Sequence, residues 1–186
     1  MSFGSVLLGA LVGGAISSGA LIGITFLGTL VPWWALLLIA VGGTFIGGII
    51  GGLLARGAGA GFLAGILSGL IVTLALFLFA WLYYKQVILD WFTSLGGDIT
   101  ATIENLVAAI GMDPSTGVGA QIVQTIVDKY NDHGADINAF ANAYFPVFGL
   151  IIGAIFGGLA AIINAFAGLI GGAITKKKPD DYDSYY

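Results

Sequence analysis

The chain has 186 residues, of which 58% are hydrophobic and only 9% charged, and its net charge is −4. Soluble domains carry roughly a quarter charged residues, so this chain has too few polar side chains to cover a soluble surface and its excess apolar area belongs in lipid. The acidic balance gives no reason to expect a nucleic-acid partner, and the absence of cysteine excludes disulfides, thiolate metal sites and a thiol nucleophile.

Glycine is the other outlier, at 31 residues without a G-X-Y period, which excludes collagen. In water, glycine at this density penalises helices. In a bilayer no water competes for the backbone, and small residues let helices approach closely.

Residues 5–30 form the first apolar segment, uncharged over 26 residues. As a helix it measures about 39 Å, enough to cross a ~30 Å hydrocarbon core with tilt. A cleaved signal peptide is the competing reading. Against it, the leading MSFGS has no Lys or Arg and the apolar run is too long. Gly9–Gly13 and Gly19–Gly23 are i,i+4 pairs, with Ala10–Gly14 beside the first.

Val31-Pro32-Trp33-Trp34 reads as a tight turn at one membrane face. Proline suits the first turn of a new helix, and paired Trp suits the lipid–water interface. The second segment, 34–55, carries the row Gly43, Gly47, Gly51 and a parallel pair, Gly48 and Gly52. Arg56 and Gly57 mark the next turn. The third segment, 58–84, carries Gly57, Gly61, Gly65 and Gly69 at i,i+4 spacing and ends in Trp81-Leu82-Tyr83-Tyr84-Lys85. Its helix is expected to run on through Trp91 and Phe92 to a stop at Gly96-Gly97.

Residues 85–143 change character, with seven carboxylates against two lysines, a net −5. Asp98 is placed to N-cap a helix with Ile99, Ile103, Leu106, Val107 and Ile110 on one face. Asp113-Pro114 reads as N-cap and first residue of a second helix, with Val118, Ile122, Ile126 and Tyr130 on its stripe. The two stripes need a cover: each other, the membrane surface or another subunit. Asp136 is placed to cap a third helix that runs into the last span.

The last apolar segment is 144–175, with Pro146 near its start and Gly149, Gly153, Gly157 and Ala161 as its small-residue row. The tail from 176 is polar.

These segments predict an all-α membrane protein: four transmembrane helices with a small external helical domain between the third and fourth. The expected organisation is a glycine-rich three-helix region (1–85), an external acidic helical domain (86–143), the fourth span (144–175) and a polar cytoplasmic tail (176–186). Four spans put both termini and the Arg56 turn on one side. Lys/Arg bias, from Arg56, Lys176, Lys177 and Lys178, makes that side cytoplasmic. Trp33, Trp34 and Trp81 then anchor the opposite face.

The glycine rows are expected to be helix-packing surfaces. Asn164, deep in the last span, is expected to hydrogen-bond across helices rather than bind a solute. Thr44, Ser68 and Thr73 are expected to bond back to their own helix. No Asp, Glu, Lys or His lies within a span, and ion-coupled transporters, proton relays and voltage sensors usually need one. The DKYNDHGAD stretch around His133 lacks the spacing of an EF-hand loop, and a solvated helix end is the expected reading. No catalytic, cofactor or metal motif stands in a usable context.

The stretch GGTFIGGIIGGLLARGAGAGFLAGILSGLIV, residues 42–72, resembles a family of small glycine-rich membrane proteins found mostly in archaea and classed as a domain of unknown function. Their pattern is two glycine-zippered spans joined by a short turn such as ARGAGAG. The resemblance implies a hairpin of close-packed spans and supplies no catalytic residues.

The expected function is therefore non-enzymatic: a multi-pass protein of the cell membrane acting through helix association, as a homo-oligomer or an accessory subunit of a larger assembly. Its partners would be the bilayer, further copies or other membrane subunits. The alternative is an oligomeric channel or permeation pathway for a small solute.

Overall fold

The computed structural model describes residues 3–28, 30–109 and 111–175. It is 88% helical, and none of the described residues forms a strand, so the protein is all-α. The helices are α1 (Phe3–Leu27), α2 (Trp33–Ala55), α3 (Ala58–Phe79), α4 (Lys85–Ser94), α5 (Ile99–Ala109), α6 (Gly117–Asp132) and α7 (Ile137–Ile174). Four helical stretches are long and apolar enough to cross a membrane: α1, α2, residues Ala58–Ser94, and α7. The expected tail, including Lys176, Lys177 and Lys178, lies outside the described residues, as does Ile110.

The chain divides into two compact units, Met1–Leu78 with Leu150–Tyr186, and Phe79–Gly149. In the first, glycines name the pairings. Gly9 meets Gly51 and Gly13 meets Gly47, so α1 and α2 are antiparallel. Gly61 meets Gly168, Gly65 meets Asn164 and Gly69 meets Ala161, so α3 and α7 are antiparallel. Gly48 meets Asn164 and Gly52 meets Gly168, so α2 and α7 run the same way. One end of this unit is tied by two bonds. Ser5 Oγ donates to the Ala55 carbonyl at 3.2 Å, and Gly57 N donates to the Gly172 carbonyl at 3.1 Å. The start of α1, the α2–α3 turn and the end of α7 therefore lie together.

The core of this unit inverts the soluble pattern. Its buried residues are mostly small, such as Ala10, Ala60, Ala64, Ser17, Ser68, Gly47 and Gly65. Most of its Leu, Ile and Phe side chains point outward, with Leu38, Leu70, Ile162 and Phe166 among the exposed ones and Leu76 an exception. That distribution suits a solvent as apolar as leucine itself.

In the second unit the pattern returns to normal. Ile99, Ile103, Val107, Val123, Tyr130 and Phe140 form a buried cluster, with Phe92, Leu106, Ile122, Ile126 and Tyr144 packed against it. The α5 stripe is thus covered by α6 and the first turns of α7, but the expected α6 stripe is covered only in part. Tyr130 is buried, Ile122 and Ile126 are half-buried against the cluster, Val123 joins the core in their place, and Val118 is left exposed.

Local chemistry explains the helix ends. Asp98 Oδ1 accepts from Ala101 N at 3.1 Å, starting α5. Asp136 Oδ1 accepts from Asn138 N at 2.8 Å, starting α7. That helix runs unbroken for 38 residues, so Pro146 sits inside it rather than at a helix start. The expected cap at Asp113 is different. Its carboxylate accepts from Ser115 N at 2.8 Å, Ser115 Oγ at 2.6 Å and Thr116 Oγ1 at 3.0 Å. This closes a turn, and α6 begins only at Gly117. Between α3 and α4 a π-helical turn, Ala80–Tyr84, widens the helix. There Phe79 stacks on Tyr83 at 4.9 Å and meets Tyr84 edge-on at 5.8 Å.

The Ser115 hydroxyl, the Ser115 amide and the Thr116 hydroxyl, in that order, hold the Asp113 carboxyl below its ordinary value of 3.8. A carboxylate lowered by folding stabilises the turn above its unfolded-state pKa and loses that contribution as pH falls through its folded-state value. In a 13C titration the Asp113 carboxyl should therefore titrate below 3.8, and Ser115→Ala with Thr116→Val should raise its midpoint.

Candidate functional site

The feature that concentrates constraint is the backbone-to-backbone core of the first unit. A Cβ at Gly13 would lie 2.8 Å from the Gly47 carbonyl oxygen, and one at Gly51 would lie 2.7 Å from that of Gly9. Real Cβ atoms essentially never come under 3.0 Å, so these α1–α2 positions admit no larger residue without a shift of backbone. Gly43 rests on the Ala20 methyl, and a Cβ at Gly47 would also meet Ser17 Oγ at 2.5 Å.

The tightest place joins three helices. Cβ atoms at both Gly52 of α2 and Gly61 of α3 would overlap the Gly168 carbonyl of α7. Gly65 lies against the Asn164 backbone, Gly69 against Ala161, and Gly153 and Gly157 against Thr73. Gly149 is buried. Gly57 plays another part. A Cβ there would meet nothing, but its φ is +121°. It serves the turn through backbone conformation, after Arg56 closes α2 in the left-handed region at φ 57°.

Three contributors escaped the sequence reading: Gly168, Gly171 and Gly172. The spacing rule itself hid them. Four residues turn an α-helix by about 400°, so an i,i+4 row drifts by about 40° per step. The row Gly149–Gly153–Gly157–Ala161 must change step to stay on its neighbours. It does so by a three-residue step to Asn164, and continues to Gly168 and Gly172. The signal available was that second i,i+4 row.

The core also holds a polar set. Asn164 and Ser17 are fully buried, and Thr44 and Ser68 almost so. The Ser17 hydroxyl donates to the Gly13 carbonyl at 2.8 Å and lies 3.2 Å from Asn164 Oδ1, joining α1 to α7. Asn164 Nδ2 has no partner. Thr44, Ser68 and Thr73 donate to the carbonyls of Ala40, Gly65 and Gly69, each within its own helix. These bonds satisfy the hydroxyls and leave little free chemistry. Among the described residues no three His, Cys, Asp or Glu converge on a metal-sized site.

Of the expected anchors, Trp33 and Trp34 are exposed at the start of α2 and Trp81 lies in the π-helical turn. Other small residues on the long helices have no close packing partner among the described residues. Cβ atoms at Gly19, Gly23, Gly42 and Gly158 would each meet nothing within 4 Å. Compared with protein families, characterised proteins and solved structures, the chain matches none.

The two classes of glycine should separate experimentally. Gly168→Val overpacks the three-helix contact and should destabilise the fold by about 1–3 kcal/mol or more. Gly158→Ala, on an open face, should change stability by less than about 0.5 kcal/mol, the usual range for an exposed site. Unfolding in mixed detergent micelles, followed by circular dichroism, measures both.

Proposed function

We propose that this is a non-enzymatic multi-pass protein of the cell membrane that works by helix association, as a homo-oligomer or an accessory subunit of a larger assembly. One observation carries the reading. Ala15, Gly19 and Gly23 form an i,i+4 row on α1 in which Ala15 and Gly19 are exposed and Cβ atoms at Gly19 and Gly23 would meet nothing within 4 Å among the described residues, and exposed Leu11 and Phe26 bracket it. Most of the other glycines on the long helices are consumed by contacts inside the chain. In lipid, such a row gives a second helix a flat surface for close dispersion contact and weak Cα–H hydrogen bonds.

The contrast between the units supports the topology. Small residues inside and large apolar ones outside suit a lipid environment for the first unit. The leucine-poor, acid-rich surface and ordinary apolar core of the second suit water. The Lys/Arg count then puts the termini and the Arg56 turn in the cytoplasm and the acidic unit outside. The apolar segments hold no acid, lysine or histidine, which favours a packing role over proton relay or catalysis. The resemblance of residues 42–72 to the glycine-rich hairpin family fits the same reading.

Mass by light scattering in mild detergent is the test. The wild-type protein should exceed the 19.0 kDa of one chain. Gly19→Leu with Gly23→Leu should reduce it to one chain while leaving helicity and unfolding midpoint unchanged. A wild type that is monomeric at every concentration, or a double variant with undiminished mass, would refute self-association through this face.

A further inference from the structure

The second unit has an apolar feature that its own core leaves open. Val118, Gln121, Ile122, Thr125 and Ile126 line a groove of about 310 Å³ along α6. Ile122 and Ile126 sit half-buried over the core, whereas Val118 is 64% exposed. An apolar groove alone does not say what covers it. Here charge does.

The unit carries seven carboxylates and two lysines. Lys129 is paired with Asp132 at 3.1 Å, and Lys85 is hydrogen-bonded to Asn142. Acids stand near both ends of the groove. At one end the Asp113 carbonyl packs directly on Gly119, next to Val118. There hydrogen bonds from the Ser115 hydroxyl, the Ser115 amide and the Thr116 hydroxyl hold the Asp113 carboxyl below its ordinary value. At the other end Asp128 and Asp132 follow Ile126 on the same helix. Val118 and Ile126 are about 12 Å apart along the helix axis, and screening in physiological salt acts over about 8 Å. An occupant of the groove is therefore within reach of carboxylates at either end.

This field discriminates between occupants. A second copy of the same unit brings another net −5 and is repelled. An anionic lipid surface is repelled likewise. A polypeptide that sets an apolar helix face in the groove and lysines or arginines at its ends gains from both. We infer that the α6 groove docks a basic amphipathic helix of a partner protein. The inference rests on the reading that the acidic unit stands in water outside the membrane and that the chain is a subunit of a larger assembly.

The test uses the full-length protein in phosphatidylcholine nanodiscs and a labelled five-turn amphipathic peptide of leucine and lysine. Empty nanodiscs give the background. The peptide should bind above that background, and more weakly as salt rises from about 50 to about 300 mM. A leucine–glutamate peptide of the same pattern, and a serine–lysine peptide of the same charge, should bind at least about tenfold more weakly, since each lacks one of the two attractions. Val118→Asp is decisive. Its exposed site tolerates the change, and the added charge would strengthen a purely coulombic association. Groove docking instead predicts at least about tenfold weaker binding, about what one buried apolar contact contributes. Tighter or unchanged binding by the variant, equal binding of the glutamate or serine peptide, or no binding above background would each overturn the inference. Mass measurements on the same samples keep the two proposals apart. Oligomers that fail to bind peptide refute only the groove, and monomers that bind it refute only self-association.

Discussion

Helices in lipid cannot be driven together by burying leucine, because the lipid tails are as apolar as the leucine they would replace. What remains is contact between atoms at short range, and contact is closest where side chains are missing. Gly52, Gly61 and Gly168 bring three backbones to one point, with a glycine Cα or carbonyl where a side chain would otherwise intervene. The other features of the first unit follow. Large residues move to the outside, hydroxyls turn back onto their own helices, and the one strongly polar side chain, Asn164, finds only Ser17. The fit tolerates no enlargement at these positions. It holds few large side chains, Val72 and Leu76 among them, whose truncation would loosen it.

The same chain contains a region built on the opposite principle. The cluster of Ile99, Ile103, Val107, Val123, Tyr130 and Phe140 has the apolar-inside pattern that burial from water stabilises, at roughly 25 cal/mol per Å². Its helices are accordingly amphipathic, and their caps use carboxylates that need hydration or hydrogen bonds. One polypeptide thus contains two folding rules, and the passage between them is short. It falls within the π-helical turn on one side and beside Pro146 on the other.

Much of this was legible before any coordinates, and the reason is physical. Spans, glycine rows and the caps at Asp98 and Asp136 depend on local periodicity, which a sequence displays directly. Which glycines face a neighbour and which face outward depends on helix rotation, which it does not. Gly13 and Gly19 look alike in the sequence, yet one packs on Gly47 and a Cβ at the other would meet nothing within 4 Å among the described residues. The i,i+4 rule also misled where a helix is long, because the packing face of α7 changes step at Asn164 and continues to Gly168 and Gly172. At Asp113 two signals competed. A helix cap and a side-chain turn use the same residues, and the hydroxyls of Ser115 and Thr116 decided for the turn.

The Gly52–Gly168 contact has a consequence for how the molecule comes to exist. Its two halves are 116 positions apart, from the residue numbers. During synthesis α2 and α3 are made long before α7, and the whole second unit is translated in between. Until then Gly48, Gly52, Gly61 and Gly65 lack the α7 backbone they touch in the folded chain. A chain that stops short of residue 168 would never acquire the Gly168 contact that joins α2, α3 and α7.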